Sequence, residues 1–314
     1  MPNFKNFKNE KNDYKVILGD CIENLKKIED ETVDLVIADP PYFKVVNQKW
    51  DYEWKTDDLY LEWTSKWMEE AIRVLRKGGT LYLFGYFRTL AQILSNLKNS
   101  ELEFRQQIIL DKGLRSISGR KTSTYRLFPN VTESILFFVK DNKKFIKPLL
   151  KKRQEKLKLS SKQINELLGV KSNGGGMWSI YTGKNICEQL PTKEFWDKLQ
   201  KILKFKYKYS KIAQTFNIIP GFTDVWRDID FYKEKKFHKT QKPLKLIERL
   251  ILSSSNPNDL ILDRFGGSGS TIIASLINHR DCITIEKDKE YFKTISQRVD
   301  SFINPLKNFQ SSSS

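Results

Sequence analysis

Two short groups of residues, more than two hundred positions apart, carry the chemistry of this chain. Asp39-Pro40-Pro41-Tyr42 ends the apolar run VDLVIADPPY, and Phe265-Gly266-Gly267-Ser268-Gly269 follows a second run, DLILDRFGGSGST. Prolines fix the backbone and remove amide donors, so the Asp39 carboxylate and the Pro40 carbonyl can face one point as acceptors. Two acceptors suit an NH2 group, which has two hydrogens. Tyr42 adds a ring that can stack on the same planar ligand. In the second group, glycines allow a tight turn and close backbone approach to a ligand. Glu286 ends the next apolar run 19 residues after Gly267, a spacing at which an acid commonly accepts two ribose hydroxyls. Together the groups point to transfer from a nucleoside-like donor to an exocyclic amine. Each also has a plainer reading: a strand-ending turn with a packed tyrosine, and a structural glycine turn with a surface acid. A P-loop fits poorly, because no Lys-Ser or Lys-Thr follows the glycines. A dinucleotide loop fits less well too, because only two residues separate Phe265 from Ser268.

The elements that must position these groups alternate in kind. Strands are predicted at Tyr14–Leu18, Val33–Ala38, 80–87, Phe104–Leu110, Glu133–Lys140, Leu260–Asp263 and Cys282–Glu286. Helices are predicted at Ile22–Ile28, Leu59–Arg76, Thr89–Leu97, 243–253, Thr271–Asn278 and Lys289–Ser301. Trp63, Trp67, Ala71, Val74 and Leu75 fall on one face at helical spacing, and Gly78-Gly79 is expected to stop that helix. Such alternation implies an α/β fold, a doubly wound, mostly parallel sheet with helices on both faces. Ligands then sit beyond the carboxyl ends of the strands, where both groups lie. Residues 1–13 read as loose and 43–58 as a long loop. The Lys-rich stretch 141–224, with helices at Ser161–Leu168 and Lys193–Leu203 and a Gly174–Gly176 run, reads as a helical insertion. Within it Ile164 and Leu167 are expected inward, and Trp178, Tyr181 and Trp196 in the core. The expected organisation is 1–140, the insertion 141–224, 225–305, and a disordered tail at 306–314.

Bulk properties narrow the classes. The 314 residues are 39% hydrophobic and 12% aromatic, enough for a sizeable core, and the net charge of +17 attracts polyanions. A Lys-rich proteome bias is the bland alternative. Cys21, Cys187 and Cys282 are far apart, with no metal or disulfide spacing, and His238 and His279 are the two histidines. No metal and no His-based triad is expected, and the compartment reads as a reducing cytoplasm. The N-terminal stretch has no signal-peptide pattern, and no apolar run approaches the ~20 residues that span a bilayer.

These motifs resemble those of the amino-methylating DNA methyltransferases that use S-adenosyl-L-methionine. DPPY before the insertion and FxGxG after it is the order of their circularly permuted, Rossmann-like beta class, most like the adenine-N6 enzymes of MboII-type restriction–modification systems. The likeness covers nearly all of 14–142 and 225–300. It assigns Asp39, Pro40, Pro41 and Tyr42 to catalysis, with Asp39 also beside the cofactor. Asp263, Phe265, Gly267, Ser268, Gly269 and Thr271 match the cofactor loop, and Glu286 the ribose-binding acid. Thr240, Lys242 and Pro243 match a segment that closes over the methionine part, and Asp20 an acidic position near the cofactor adenine. Lys239 stands where the family often has proline, Arg264 where Pro or Cys is common, and Ser270 where Thr is usual.

The resemblance implies N6-adenine methylation of double-stranded DNA by base flipping and direct transfer, without a covalent enzyme intermediate. Hydrogen bonds from the amine to Asp39 and the Pro40 carbonyl would localise its lone pair, and Tyr42 would stack on the base. S-P-P-Y is favoured by the cytosine-N4 group, so adenine leads; a non-catalytic DNA-binding relic is the rival of another class. Further partners it brings are a second copy of the chain and a cognate restriction endonuclease, in the bacterial cytoplasm. The loop with Lys44, Lys49 and Trp50 is a candidate to move during flipping. Lys112, Arg115, Arg120, Lys121 and Arg126, mixed with Gly, Ser and Thr, suit phosphate and base-edge contacts; a plain solvated loop is the alternative for both. The insertion is expected to serve target recognition.

Overall fold

The computed structural model describes residues 3–43, 52–118, 125–171, 176–183, 189–238 and 240–304. The chain divides into two units, Met1–Lys140 with Gln214–Ser314, and Asp141–Ala213. Residues 214–224, expected in the insertion, belong to the first unit. Asn217 ties them there, donating from its backbone N to Ser253 O at 2.7 Å.

The first unit contains β1 (Phe4–Lys8), β2 (Asp13–Leu18), α1 (Cys21–Leu25), β3 (Val33–Ala38), α2 (Asp57–Val74), β4 (Leu75–Gly85), α3 (Phe87–Asn96), β5 (Leu102–Asp111) and β6 (Thr132–Lys140). The second unit holds α4 (Lys143–Lys156), α5 (Ser161–Leu168), α6 (Gly176–Tyr181) and α7 (Lys193–Leu203). The first then resumes with β7 (Val225–Trp226), α8 (Leu244–Ser254), β8 (Leu260–Asp263), α9 (Ser270–Ile277), β9 (Asp281–Glu286) and α10 (Lys289–Ile303). Among the described residues the strands form one nine-stranded sheet, in the order β1-β2-β9-β8-β3-β4-β6-β5-β7. Pairing is parallel from β2 through β9, β8 and β3 to β4, while β6 lies antiparallel between β4 and β5.

β3 shows why the sheet is covered on both sides. Successive side chains alternate between faces, yet Leu35, Val36, Ile37 and Ala38 are all at most 1% exposed. Leu35 and Ile37 join a core with Leu246 and Leu250 of α8, Ile272 of α9 and Ile295 of α10. Val36 and Ala38 join another with Leu25 of α1, Trp67 and Ala71 of α2 and Leu90 of α3. The apolar run 35–38 is thereby buried on both faces. α2 starts where Thr56 accepts from Leu59 N and Asp57 and Asp58 occupy the first turn, as anions favour a helix N-terminus.

Other expectations change as well. Residues 4–8 are not loose but form edge strand β1, antiparallel on β2, with Phe7 packed against the core. The edge of β2 supplies the partner, which local composition does not reveal. Gly78-Gly79 does not end α2; the helix stops at Val74 and both glycines lie within β4. A Cβ on Gly79 would stand 2.9 Å from Arg76 O and 3.0 Å from Asp34 O, so close strand approach explains the glycine. Helix α4 was hidden by its lysines and by Pro148; Ile146 and Leu150, one turn apart, bury its inner face.

The second unit has its own core, with Trp178, Tyr181 and Trp196 buried as expected. Trp196 Nε1 donates to Tyr207 O at 2.8 Å and Trp178 Nε1 to Gln154 at 3.1 Å. α5 carries a capping box between Ser160 and Gln163 and ends on left-handed Gly169. Ile164 faces inward, but Leu167, expected inward, is 59% exposed. No helix among the described residues is long and apolar enough to cross a membrane. Among the described cysteines, Cys21 and Cys282 are free and buried; Cys187 and Gly174 and Gly175 lie outside the described residues.

Candidate active site

Sheet register brings the two motifs together. β3 and β8 are parallel neighbours with Ile37 opposite Asp263, so Asp39 and Phe265 leave the sheet at the same edge. β9 pairs Thr284 with Asp263, which puts Glu286 at that edge too, and Gly19 N donates to Glu286 O at 2.9 Å. A cavity of about 450 Å³ opens there, within the roughly 300–1,000 Å³ of small-molecule sites. Asp39, Pro40, Pro41 and Tyr42 line it together with Phe265, Gly267, Ser268, Thr271 and Glu286, and so do Asp20, Thr240, Lys242 and Asp263. Gly269 and Pro243 do not line it. Gly269, at φ 79°, caps α9, and Pro243 caps α8; they shape the loops from behind.

The Asp39 end is a charged cluster. Lys242 Nζ donates to Asp39 Oδ1 at 2.9 Å and to Oδ2 at 2.8 Å, and lies 3.0 Å from the Tyr42 hydroxyl. Tyr42 Oη lies 2.8 Å from Asp39 Oδ1 and closer still to Glu133 Oε1. Glu133 Oε1 is also 3.0 Å from Lys242 Nζ, and Oε2 is 3.2 Å from Lys112 Nζ. The Asp39 side chain keeps 25% exposure towards the cavity. Loss of solvation raises its carboxyl above the usual range, Lys242 opposing and Glu133 adding to the rise. Burial would raise Glu133 too, but Lys242 and Lys112 hold it below its ordinary value. Burial would lower Lys242, but the two carboxylates hold it above. The Pro41 carbonyl is taken by Tyr60 Oη at 2.7 Å, which pins the turn. The Tyr42 ring meets Tyr86 edge-on, with centroids 5.3 Å apart.

The Glu286 end has a different character. Glu286 Oε2 accepts from Gly267 N at 2.6 Å and Oε1 from Asp288 N at 2.8 Å. Two neutral amides thus aim the carboxylate while burial pushes its pKa up to about 7. Gly267 sits at φ 51°, the left-handed region. A Cβ on Gly266 would lie 2.6 Å from Thr284 Cγ2, so this turn closes only with glycine. Asp263 accepts from Phe265 N at 3.0 Å and from the Thr271 side chain, and burial raises it to about 6. Ser268 Oγ lies 3.2 Å from Ser270 Oγ, which donates to Lys242 O at 2.8 Å; the serines join the glycine loop to the lysine segment. Asp20 accepts from Ile22 N and Glu23 N as the cap of α1. Thr240 Oγ1 lies 3.0 Å from His238 Nδ1.

Several site residues escaped sequence reasoning. Trp54 and Trp63 line the cavity, and Trp63 and Trp67 pack on Phe265 with centroids 5.8 and 5.6 Å away. Helical spacing marked Trp63 and Trp67 only as core. Arg264 is 1% exposed, with its guanidinium 3.6 Å from the Trp67 ring centre and no hydrogen-bond partner among the described residues. Burial lowers it to about 9. His238, lowered to about 4 by burial and then by Lys242, lies against Tyr291 with ring centres 4.3 Å apart. Glu133, the second residue of β6, carried no sequence signal.

The candidate DNA-binding residues scatter. Lys112 is drawn into the Glu133 contact. Arg115 is exposed, with its guanidinium 5.7 Å from the Tyr232 ring centre, and Arg126 is exposed. Lys44, Lys49, Trp50, Arg120, Lys121 and Lys239 lie outside the described residues.

Comparison with known proteins agrees with this geometry. Relatives include the type II methyltransferase M.HpaI of Haemophilus parainfluenzae, 29% identical over 93% of this chain and 76% of its own length. The DNA adenine methyltransferase YhdJ of Escherichia coli is 28% identical over 91% and 82%. The type II methyltransferase M1.MboII of Moraxella bovis is 29% identical over 86% and 90%. Among solved structures, TTHA0409 of Thermus thermophilus, complexed with S-adenosyl-L-methionine, shares the fold at TM-score 0.55 and 20% identity, over 93% of this chain and 96% of that one. The cytosine-N4-specific PvuII DNA methyltransferase does so at 0.57 and 14%, over 94% and 93%. The family model described as DNA methylase matches residues 33–297, from the strand that delivers Asp39 to the helix behind Glu286, and the chain therefore belongs to the DNA methylase family.

Proposed function

We propose that this protein transfers a methyl group from S-adenosyl-L-methionine to the exocyclic N6 of adenine in double-stranded DNA. The observation that carries the reading is the shared cavity: Asp39 at one end, Phe265, Gly267 and Glu286 at the other. The residues suit the cofactor. A carboxylate aimed by two amides keeps outer lone pairs for two hydroxyls, and Phe265, Trp63 and Trp54 supply apolar faces for a nucleoside. When bound, the cofactor supplies an electrophilic methyl on a sulfonium.

The chain's own residues do the rest. Lys242 and Tyr42 occupy the inner side of the Asp39 carboxylate, so its remaining acceptor capacity faces the cavity. An amine donating there has its lone pair directed away from the ring and towards the donor. Placement and fixed dipoles carry most of the rate. The target base must leave the duplex to reach this depth.

Asp in the first position of the motif favours adenine. Type II relatives and the DNA adenine methyltransferase YhdJ support a DNA substrate. Charge supports it as well: the second unit has 18 Lys and Arg against 6 Asp and Glu, twelve of the chain's net +17. That surplus suits phosphate contacts, and we assign target recognition to it. The test is transfer of labelled methyl to mixed-sequence duplex DNA, followed by digestion to nucleosides. Label in N6-methyl-2′-deoxyadenosine is expected. Label in N4-methyl-2′-deoxycytidine moves the assignment to cytosine, and tight DNA binding without label favours a non-catalytic relic.

A further inference from the structure

The loop between β5 and β6 springs from the edge of the sheet that carries Asp39. Asp111 pairs with Thr132, Ser134 pairs with Gly85 of β4, and Glu133 between them meets Tyr42. Lys112 N donates to Val131 O at 2.9 Å, and Asn130 Oδ1 accepts from Thr132 N at 2.9 Å, so the root of the loop is closed. Phe128 stands five positions before Glu133, a stretch of chain that spans at most about 18 Å. It therefore lies at the rim of the Asp39 end.

Two consecutive apolar side chains leave this loop for solvent. Phe128 is 95% exposed and Leu127 72%. Leu114 at the other root is exposed as well, and so is Phe87, next to the Tyr86 whose ring meets Tyr42. Single exposed apolar residues are ordinary, but several together at the rim of a site mark a contact surface. Pro129 disfavours helical backbone at Phe128, which limits how the pair can fold back. The flank says which partner fits. Residues 112–131 include five Lys or Arg and no Asp or Glu. Arg126, directly before the pair, is exposed, and so is Arg115, its guanidinium 5.7 Å from the Tyr232 ring centre. A two-fold contact with a second copy would set this basic loop against itself. A duplex offers phosphates outside and stacked apolar faces inside, which matches the basic flank and the apolar tip together.

We propose that Leu127 and Phe128 form a wedge that enters the base stack of duplex DNA and fills the space left when the target base turns into the Asp39 cavity. This rests on the reading of that cavity as the seat of a flipped base. Extrusion breaks a base pair and uncovers the faces of its neighbours. Those faces are planar and apolar, so a phenyl ring stacks on them whatever the sequence, and the leucine covers further apolar area. A base still in the stack leaves no room for the wedge. Its contacts are realised only in the extruded state, and they favour that state over the closed duplex. Arg126 beside it supplies charge for the flanking phosphates. Leu127 and Phe128 are thus positioning residues that act on the substrate's conformation and take no part in the chemistry at the amine.

The experiment is single-turnover methyl transfer to two duplexes that share one sequence methylated by the parent protein. In one the target is paired. In the other it faces an abasic position, so extrusion breaks no base pair. Phe128→Ala is expected to slow transfer to the paired duplex by about tenfold to a hundredfold, and to come back close to the parent rate on the unpaired one, with the cofactor Kd unchanged. Leu127→Ala should give the same pattern more weakly, and Phe128→Trp, which keeps a stacking face, should retain the rate on both. Arg126→Ala should weaken binding of the two duplexes alike. Because Phe128 is so exposed, its removal takes nothing from the core, and an unchanged Tm verifies the fold. Equal losses for Phe128→Ala on both duplexes, or no loss on either, overturn the wedge. So does a dimer that this variant converts to monomer in sedimentation while the ratio between the duplexes stays at the parent value, since the pair would then be a contact between copies. Should the parent transfer no methyl to any duplex, the functional reading falls and the wedge with it, an outcome separate from the ratio.

Discussion

The two ends of the cavity each present a carboxylate, and they hold it in opposite ways. Asp39 is clamped by a buried lysine whose ammonium it shares with Glu133. Glu286 has no cation within hydrogen-bonding distance among the described residues and is aimed by two backbone amides. In the proposed function the difference follows from what each end would meet. A carboxylate that holds an amine while positive charge develops on it needs its own charge kept and placed. A group that accepts two neutral hydroxyls needs orientation, and the hydroxyls themselves supply stabilisation of the anion. Ion pairing marks the reacting end and amide caging the gripping end.

Breaking the reacting end has the largest expected effect. Asp39→Ala should lower methyl transfer by about 10²- to 10⁴-fold and leave cofactor binding by calorimetry close to that of the parent; near-normal turnover would falsify the assignment. Next comes the clamp. Lys242→Met takes the cation from the part-exposed Asp39 and leaves Glu133 with Lys112 alone, and losing one partner of a buried pair costs about 3–5 kcal/mol. Urea unfolding should show that loss, whereas Glu286→Gln, with no cation to strand, should shift the midpoint far less. Equal losses would erase the contrast between the ends.

The gripping end is sharpened by smaller changes. Gly267 is at φ 51°, and a β-branched residue there is strained by about 1–3 kcal/mol. Gly267→Val should therefore weaken cofactor binding by roughly tenfold to a hundredfold; an unchanged Kd rejects the loop assignment. The smallest effect is on pH. Glu286 is raised to about 7 and Asp263 to about 6, both by burial. Each binds more protons folded than unfolded between its ordinary value and its raised one. The stability they contribute is present below the ordinary carboxylate range and is lost as pH rises through about 6 to 7. Hydroxyl donors favour the ionised form, so cofactor affinity should increase over the window in which stability of the free protein falls. Titration calorimetry from pH 6 to 8 measures the first and thermal melting the second; Glu286→Gln should flatten both.

A second contrast separates the units. The α/β unit supplies the cavity with a nearly balanced charge, 37 Lys and Arg against 32 Asp and Glu, while the helical unit concentrates the basic surplus. Chemistry and electrostatic attraction thus fall on different parts of the chain.

Much of this was written in the sequence. Largely apolar runs announced the two-sided strands Val33–Ala38 and Leu260–Asp263 at the bounds observed, because a strand buried on both faces shows few polar positions to blur it. Asp39, Phe265, Gly267 and Glu286 were legible because special backbone geometry and strand-end placement restrict residue type locally. Sequence did not determine the partners that reach across the sheet. Glu133 became a site residue only because β6 pairs with β4, Ser134 opposite Gly85, so its side chain meets Tyr42 from another part of the chain. Lys242 read as a cofactor residue, yet its ammonium is committed to Asp39 over a separation of 203 residues. Pairings of that range depend on which strands become neighbours, a choice made by burial of the whole sheet and not by any local pattern.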